Sequence, residues 1–252
     1  MQTKIASHKK YILILLISLF IAAFFTATQP IDAKMAFVSS IMVILFALPS
    51  YFAVVKTQGR KRGLLLLGIL GAYALLIESS ALATGFPYGD FIYNGLLGTK
   101  LFDLTPWTVA FAYPPILLLT YWFARKRHND NDRLKILFST AFDAMIIDLV
   151  LDPAAVKLGF WQWKVPGFYY GVPLVNFLGW LLTGFIGALI IHKFWSKTKV
   201  PETVAYSGLA ILWFWTCVNI WLIQIIPAII GLSFFGLIAY HIGLKKGTIT
   251  TR

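Results

Sequence analysis

Charge is scarce in this chain. Only 13% of its 252 residues are Asp, Glu, Lys or Arg, while 59% are hydrophobic and mean hydropathy is +0.77. An ordinary soluble domain is excluded by that balance. Cysteine is almost missing: Cys217 is the single one, inside an apolar run, so an internal disulfide and a cysteine metal cluster are both excluded. Histidine is rare too. His8 and His128 fall in basic segments, and His192 and His241 near the ends of apolar runs, so no metal site is expected. Neither GxxxxGK[ST] nor HExxH occurs. Polar residues do not alternate with apolar ones in the long runs, which excludes a transmembrane barrel.

What the chain does have is runs near the length that crosses ~30 Å of hydrocarbon as helix. The expected fold is all-α, a polytopic transmembrane bundle forming one domain over 1–252. Eight spans are predicted, at 11–27, 35–55, 64–84, 106–124, 134–151, 172–192, 204–223 and 226–244. The last two form one long stretch in which Pro227 marks the expected turn. Lys4, Lys9 and Lys10 before the first run resemble a signal peptide, but residues 26–29 make a poor cleavage site and the second run follows closely. An uncleaved first span is expected.

Net charge is +12 and pI about 9.8. The basic residues sit in short loops, where they orient a membrane protein rather than bind nucleic acid. With eight spans, all but four of the 22 Lys and Arg fall on the side of the termini. The exceptions are Lys34, Lys100, Lys157 and Lys164. Both termini are therefore expected in the cytoplasm, in a multi-pass protein of the cell membrane. Lys245, Lys246 and Arg252 support this even count.

Two outer segments, 85–105 and 152–171, are rich in Gly, Pro and aromatics. They are expected to lie at the interface or fold back over the bundle. An aromatic belt accounts for Trp107 or Trp163 alone. The inner loop of residues 125–135 is a plain charged loop. GFIGA at 184–188 and the Gly68–Gly71 pair are expected to serve helix packing.

Four acidic residues interrupt this apolar background. Glu78, Asp143 and Asp148 lie within predicted spans, and Asp152 ends one. A carboxylate at bilayer depth must face protein or water, so function near it is the default expectation. Asp148 and Asp152, four apart, share one helix face, whereas Asp143 points elsewhere. Direction of travel brings Glu78, Asp148, Asp152 and Asn176 to similar depth. Desolvation favours the neutral carboxyl, and two carboxyls in one cavity reinforce this. Such a group can protonate an apolar substrate, and aromatic faces can stabilise the resulting carbocation. A structural network tying helices together explains the same residues equally well.

The DLVLD element, Asp148 to Asp152, allows a further chemistry. Two aspartates one turn apart can hold Mg²⁺ against a diphosphate, as in membrane prenyltransferases. The other Asn/Asp cluster, residues 129–132, falls on the opposite side.

In order along the chain stand Glu78, TGFPYG at 84–89, Tyr93, GTKLF at 98–102 with Pro106, DLVLDP at 148–153, GFWQW at 159–163 and PGFYYGVPLVNFLGW at 166–180. Together they resemble the integral-membrane carotenoid biosynthesis proteins that include the acyclic carotenoid hydratases. The resemblance implies addition of water to the terminal double bond of a linear carotenoid, giving a tertiary alcohol. It implies no cofactor. The partners it implies are a long apolar polyene, membrane lipid and other carotenoid biosynthesis enzymes. It favours Glu78, Asp148, Asp152 and Asn176 as catalytic residues, and Tyr93, Trp161, Trp163, Tyr169, Tyr170 and Phe177 as substrate contacts. In the expected mechanism Asp148 or Glu78 protonates the alkene, and Asp152 with Asn176 orients the water. Related proteins cyclise carotenoid ends through a similar protonation. A carotenoid end-group cyclase, a prenyltransferase and a non-catalytic carotenoid-binding or scaffold protein remain alternatives.

Overall fold

The computed structural model describes residues 2–30, 32, 34, 36–195 and 198–247. Among them eight α-helices follow one another: α1 (Gln2–Thr28), α2 (Ala36–Gln58), α3 (Arg60–Thr84), α4 (Val109–Arg127), α5 (Arg133–Lys157), α6 (Leu174–Trp195), α7 (Tyr206–Trp221) and α8 (Ile225–Gly247). A 3-10 turn, Glu202–Ala205, leads into α7. The chain is an all-α polytopic bundle, and each helix overlaps one predicted span. Lys197 and Arg252, two of the basic residues counted on the side of the termini, and Met35, the expected start of the second span, lie outside the described residues. So do the side chains of Lys4, Lys9, Lys245 and Lys246.

Among the described residues six helices are long and apolar enough to cross a membrane. The exceptions are α4 and α5, and packing accounts for α4. It carries Pro114, Pro115 and a basic last turn, yet every residue from Tyr113 to Ala124 is buried. Helices α2, α3, α5 and α7 surround it. A helix wrapped in protein need not match lipid.

Two of the helix-interior prolines, Pro114 and Pro153, strand carbonyls that side chains serve. Proline removes the hydrogen bond to the carbonyl four residues earlier. For Pro114 that carbonyl belongs to Ala110, and the Tyr51 hydroxyl on α2 donates to it at 3.0 Å. For Pro153 in α5 it belongs to Leu149, and the Tyr169 hydroxyl donates to it at 3.1 Å. Pro227 corrects an expectation: it does not form the α7–α8 turn. The reversal lies at 222–224, where Ile223 has φ +56°, and Pro227 occupies the first turn of α8. There the missing N–H has no helical partner to lose.

Close helix approach rests on small residues. Gly184 of α6 meets Ala141 of α5, where an added Cβ would lie 3.0 Å from the Ala141 Cα. GFIGA is thus a packing motif. Of the other expected pair, Gly71 packs against Ala110 while Gly68 faces open space. At Gly208 of α7 an added Cβ would lie 2.5 Å from the Pro115 carbonyl oxygen and from the Leu119 Cβ. Gly208→Ala should therefore force α7 off α4 and destabilise the bundle by about 1–3 kcal/mol. Thermal unfolding in detergent would reveal it as a lowered midpoint, and an unchanged midpoint would show that α4 yields freely.

The two Gly- and aromatic-rich segments fold back over one end of the bundle and are joined to each other. Strand β1 (Phe91–Tyr93) pairs antiparallel with β4 (Trp161–Trp163), with Tyr93 opposite Trp161 and Phe91 opposite Trp163. A small hairpin, β2 (Lys100–Leu101) and β3 (Thr105–Pro106), lies between β1 and α4. Helix α5 runs beyond its predicted end, so Asp152 does not end its span. Five more residues follow in helix, because the proline after it is accommodated as described above.

Candidate active site

Three polar groups meet under the β1–β4 cap. The side-chain nitrogen of Asn176, in the first turn of α6, donates to Asp148 Oδ2 and to Asp152 Oδ2, at 2.7 Å each. An amide nitrogen carries two hydrogens, so it serves one carboxyl with each. The helix pitch brings the two aspartates to one face of α5, as their spacing predicts. All three side chains are buried: Asp148 is 0% exposed, Asp152 4% and Asn176 2%. Asp148 Oδ1 is buried with no hydrogen-bond donor among the described groups. A negative charge on an oxygen without a donor is costly, which opposes ionisation of both aspartates together.

Glu78, on α3, forms the second unit. The Tyr93 hydroxyl donates to Glu78 Oε1 at 2.5 Å. Burial, reinforced by the adjacent Glu78, pushes the Tyr93 phenol well above its ordinary value, so Tyr93 stays a donor. Trp161 stacks edge-on against Tyr93, with ring centroids 5.7 Å apart.

Glu78, Tyr93, Asp152 and Asn176 line one cavity of about 520 Å³. Its walls are aromatic: Tyr88, Phe91, Tyr113, Trp161, Trp163 and Trp180 all contribute. Trp163 is fixed by its indole N–H, which donates to the Tyr88 carbonyl at 2.9 Å. Two wall phenols converge on one hydroxyl. Tyr88 and Tyr113 donate to Thr183 Oγ1 at 3.0 and 2.9 Å. Neither Tyr113 nor Thr183 was anticipated from sequence. Tyr88 and Trp180 lay inside quoted motifs without being singled out.

Other expected residues stand apart from the cavity. Asp148 lies behind Asn176 and does not line it. Asp143 is removed from the site altogether, for its buried carboxylate forms an ion pair with the half-buried Arg127. Side chains on both antiparallel helices lean towards their N-termini, which turns Arg127 into the bundle to meet it. The Arg127 guanidinium also lies 4.2 Å from the centre of the Phe123 ring. Tyr169, Tyr170 and Phe177 are not among the lining residues. Phe177 packs on Tyr169 at 5.6 Å, and Tyr170 adopts φ +53° at the edge of a separate shallow depression.

The placement of Tyr169 has a measurable consequence. Its hydroxyl serves the backbone turn that carries Asp152, so Tyr169→Phe leaves a carbonyl unserved. The expected cost is about 1–3 kcal/mol of stability. Tyr170→Phe should cost under ~0.5 kcal/mol, as ordinary surface changes do. Equal unfolding midpoints for both variants would remove the backbone role from Tyr169.

The second Asn/Asp cluster is remote. Asp130 pairs with Arg125 at 2.7 Å and Asp132 with Lys135 at 3.4 Å, both at the other end of α5. Twenty helical residues separate Asp132 from Asp152, about 30 Å along the axis. These residues cannot share a diphosphate–metal site with Asp148 and Asp152.

The sequence profile of the carotenoid biosynthesis protein family matches residues 11–238, from α1 to α8. The chain belongs to that family. This carotenoid biosynthesis protein is also similar to the bisanhydrobacterioruberin hydratase of Haloarcula japonica, at 36% identity over 145 residues. The aligned part covers 57% of this chain and 49% of that protein. The carotenoid biosynthesis protein thus spans about half the length of the curated relative it matches. No solved structure matches it.

Proposed function

We propose that this protein is a carotenoid hydratase that adds water to the terminal C=C bond of an acyclic carotenoid. The observation that carries this reading is the acid arrangement: two aspartates are bridged by one amide, and one of them lines the same aromatic cavity as a third carboxyl, Glu78. Membership of the carotenoid biosynthesis family and the likeness to a hydratase support the substrate class.

The roles proposed here differ from those expected from sequence. Two buried carboxyls this close do not both ionise, so the pair holds at least one proton. Asp152 faces the cavity and delivers it, while Asp148 acts behind it through Asn176. Glu78 accepts a hydrogen bond from Tyr93, which suits an ionised carboxylate. Asp152 transfers its proton to the less substituted alkene carbon. The π electrons form that C–H bond, and a tertiary cation remains at the neighbouring carbon. Aromatic faces such as Trp161 and Trp180 stabilise the cation. A water oxygen bonds to it, and the proton that water loses goes to Glu78. Return of that proton to the aspartate pair, through water, completes the cycle. No redox step is involved.

Expression in cells that accumulate an acyclic carotenoid tests this reading. A pigment heavier by one water is the expected product. An isomer of unchanged mass carrying rings would instead identify an end-group cyclase. Unchanged pigments with several acyclic substrates would leave a carotenoid-binding or scaffold role.

A further inference from the structure

The half of the cavity away from the acids is built from α1 and α2. Ala22 and Phe25 of α1 face Val38, Met42, Val43 and Phe46 of α2 along it. All are apolar. These two helices are consecutive, yet each packs chiefly elsewhere. Helix α1 leans on α7, where the Trp213 and Trp221 indoles donate to the Leu16 and Phe20 carbonyls at 2.9 and 3.2 Å. Helix α2 packs on α3, α4 and α7. A slot is left between them, continuous with the acidic end and lined behind by Phe214 and Trp215 of α7. At its mouth Phe25 is 55% exposed.

We infer that the slot between α1 and α2 is a subsite for the apolar tail of a linear polyene, which enters sideways from the bilayer while its end reaches Asp152. This rests on the reading of an acyclic carotenoid as substrate. The occupant is argued from continuity: one unbroken cavity joins a largely apolar slot between two spans, with Phe25 exposed at its mouth, to buried acids. Its volume of about 520 Å³ is that of a pocket for a drug-sized molecule. It therefore holds the reacting end and the first part of a long chain, and the remainder lies outside among acyl chains. Apolar walls there incur no penalty, because lipid tails and a polyene are equally apolar. The acids touch only the terminal alkene. The slot, rather than the acids, sets how much chain is gripped.

Met42→Trp and Ala22→Trp narrow the slot from either side. Ile41→Trp, on a face of α2 outside the cavity and half-exposed, is the control. Each full-length protein is compared in proteoliposomes on a long acyclic carotenoid and on a short isoprenoid alkene with the same end group. Pigment retained per protein after purification from carotenoid-producing cells is measured alongside. The expected result is that slot variants lose about tenfold or more in kcat/KM on the carotenoid relative to the short alkene, a size typical of a steric change in an apolar pocket. The control should match the parent. Equal loss on both substrates, or loss on neither, would overturn the subsite. If the parent converts neither substrate, the hydratase reading fails on its own and retention decides. Pigment held by the parent and control but lost by the slot variants supports the slot, and equal retention in all four overturns it.

Discussion

Asp152→Asn should lower the rate of carotenoid hydration by ~10²–10⁴-fold, the usual contribution of a positioned general acid. The replacement is nearly isosteric, and Asn176 stays beside it. What vanishes is the proton that the cavity-facing carboxyl can deliver. Folding should survive, because the change removes one of two crowded buried acids. Asp148→Asn should be milder, since Asp148 reaches the cavity only through Asn176 and Asp152. Pigment chromatography per amount of membrane protein measures both. A silent Asp152→Asn beside an inactive Asp148→Asn would reverse the two roles.

Glu78→Gln should have an effect of similar size and a different signature. The amide cannot take the proton from attacking water, and the Tyr93 hydroxyl meets a weaker acceptor. Protonation of the alkene can still occur, so the cation loses a proton or closes on its own chain. The expected outcome is a ~10²–10⁴-fold loss of hydrated product with isomers of unchanged mass in its place. Tyr93→Phe should lose less, about 10–100-fold, since a hydrogen bond to a charged group is worth ~1.5–3 kcal/mol. Hydration needs Glu78 ionised and the aspartate pair protonated, so the parent's rate should fall at both low and high pH. Glu78→Gln removes the low-pH limb. Parent-like hydration in Glu78→Gln would assign the base elsewhere.

Six of the helices were legible in the sequence because lipid imposes a length and a composition on an exposed span, and α4 and α5 were legible as apolar runs between charged segments. The pairing of Asp148 with Asp152 was legible for a similar reason, since helix pitch alone puts residues four apart together. Which of them faces the cavity was not. That depends on how α5 is rotated against α6, and no local pattern encodes it. The β1–β4 cap was hidden too. Three-residue strands such as Phe91–Tyr93 are too short to establish an alternation. Arg127 was read as one more orienting charge in a basic loop, and only the antiparallel packing of α4 on α5 reveals its partner. Tyr169 lay in a motif rich in aromatics, which suggested substrate contact. Its hydroxyl instead serves the carbonyl that Pro153 strands.

The pairing of Arg127 with Asp143 bears on how the polypeptide is delivered to the bilayer. By composition neither α4 nor α5 qualifies as a span by itself. Asp143 stands ten residues into α5, about 15 Å along its axis, and an unpaired charge near the middle of a span costs roughly 2.5–3.5 kcal/mol on insertion scales. Joined by the five-residue turn 128–132, the two helices carry opposite charges that cancel. Partitioning as a hairpin is therefore cheaper than threading either helix in turn, and the two helices that fail as spans alone are made insertable by the fold that pairs them.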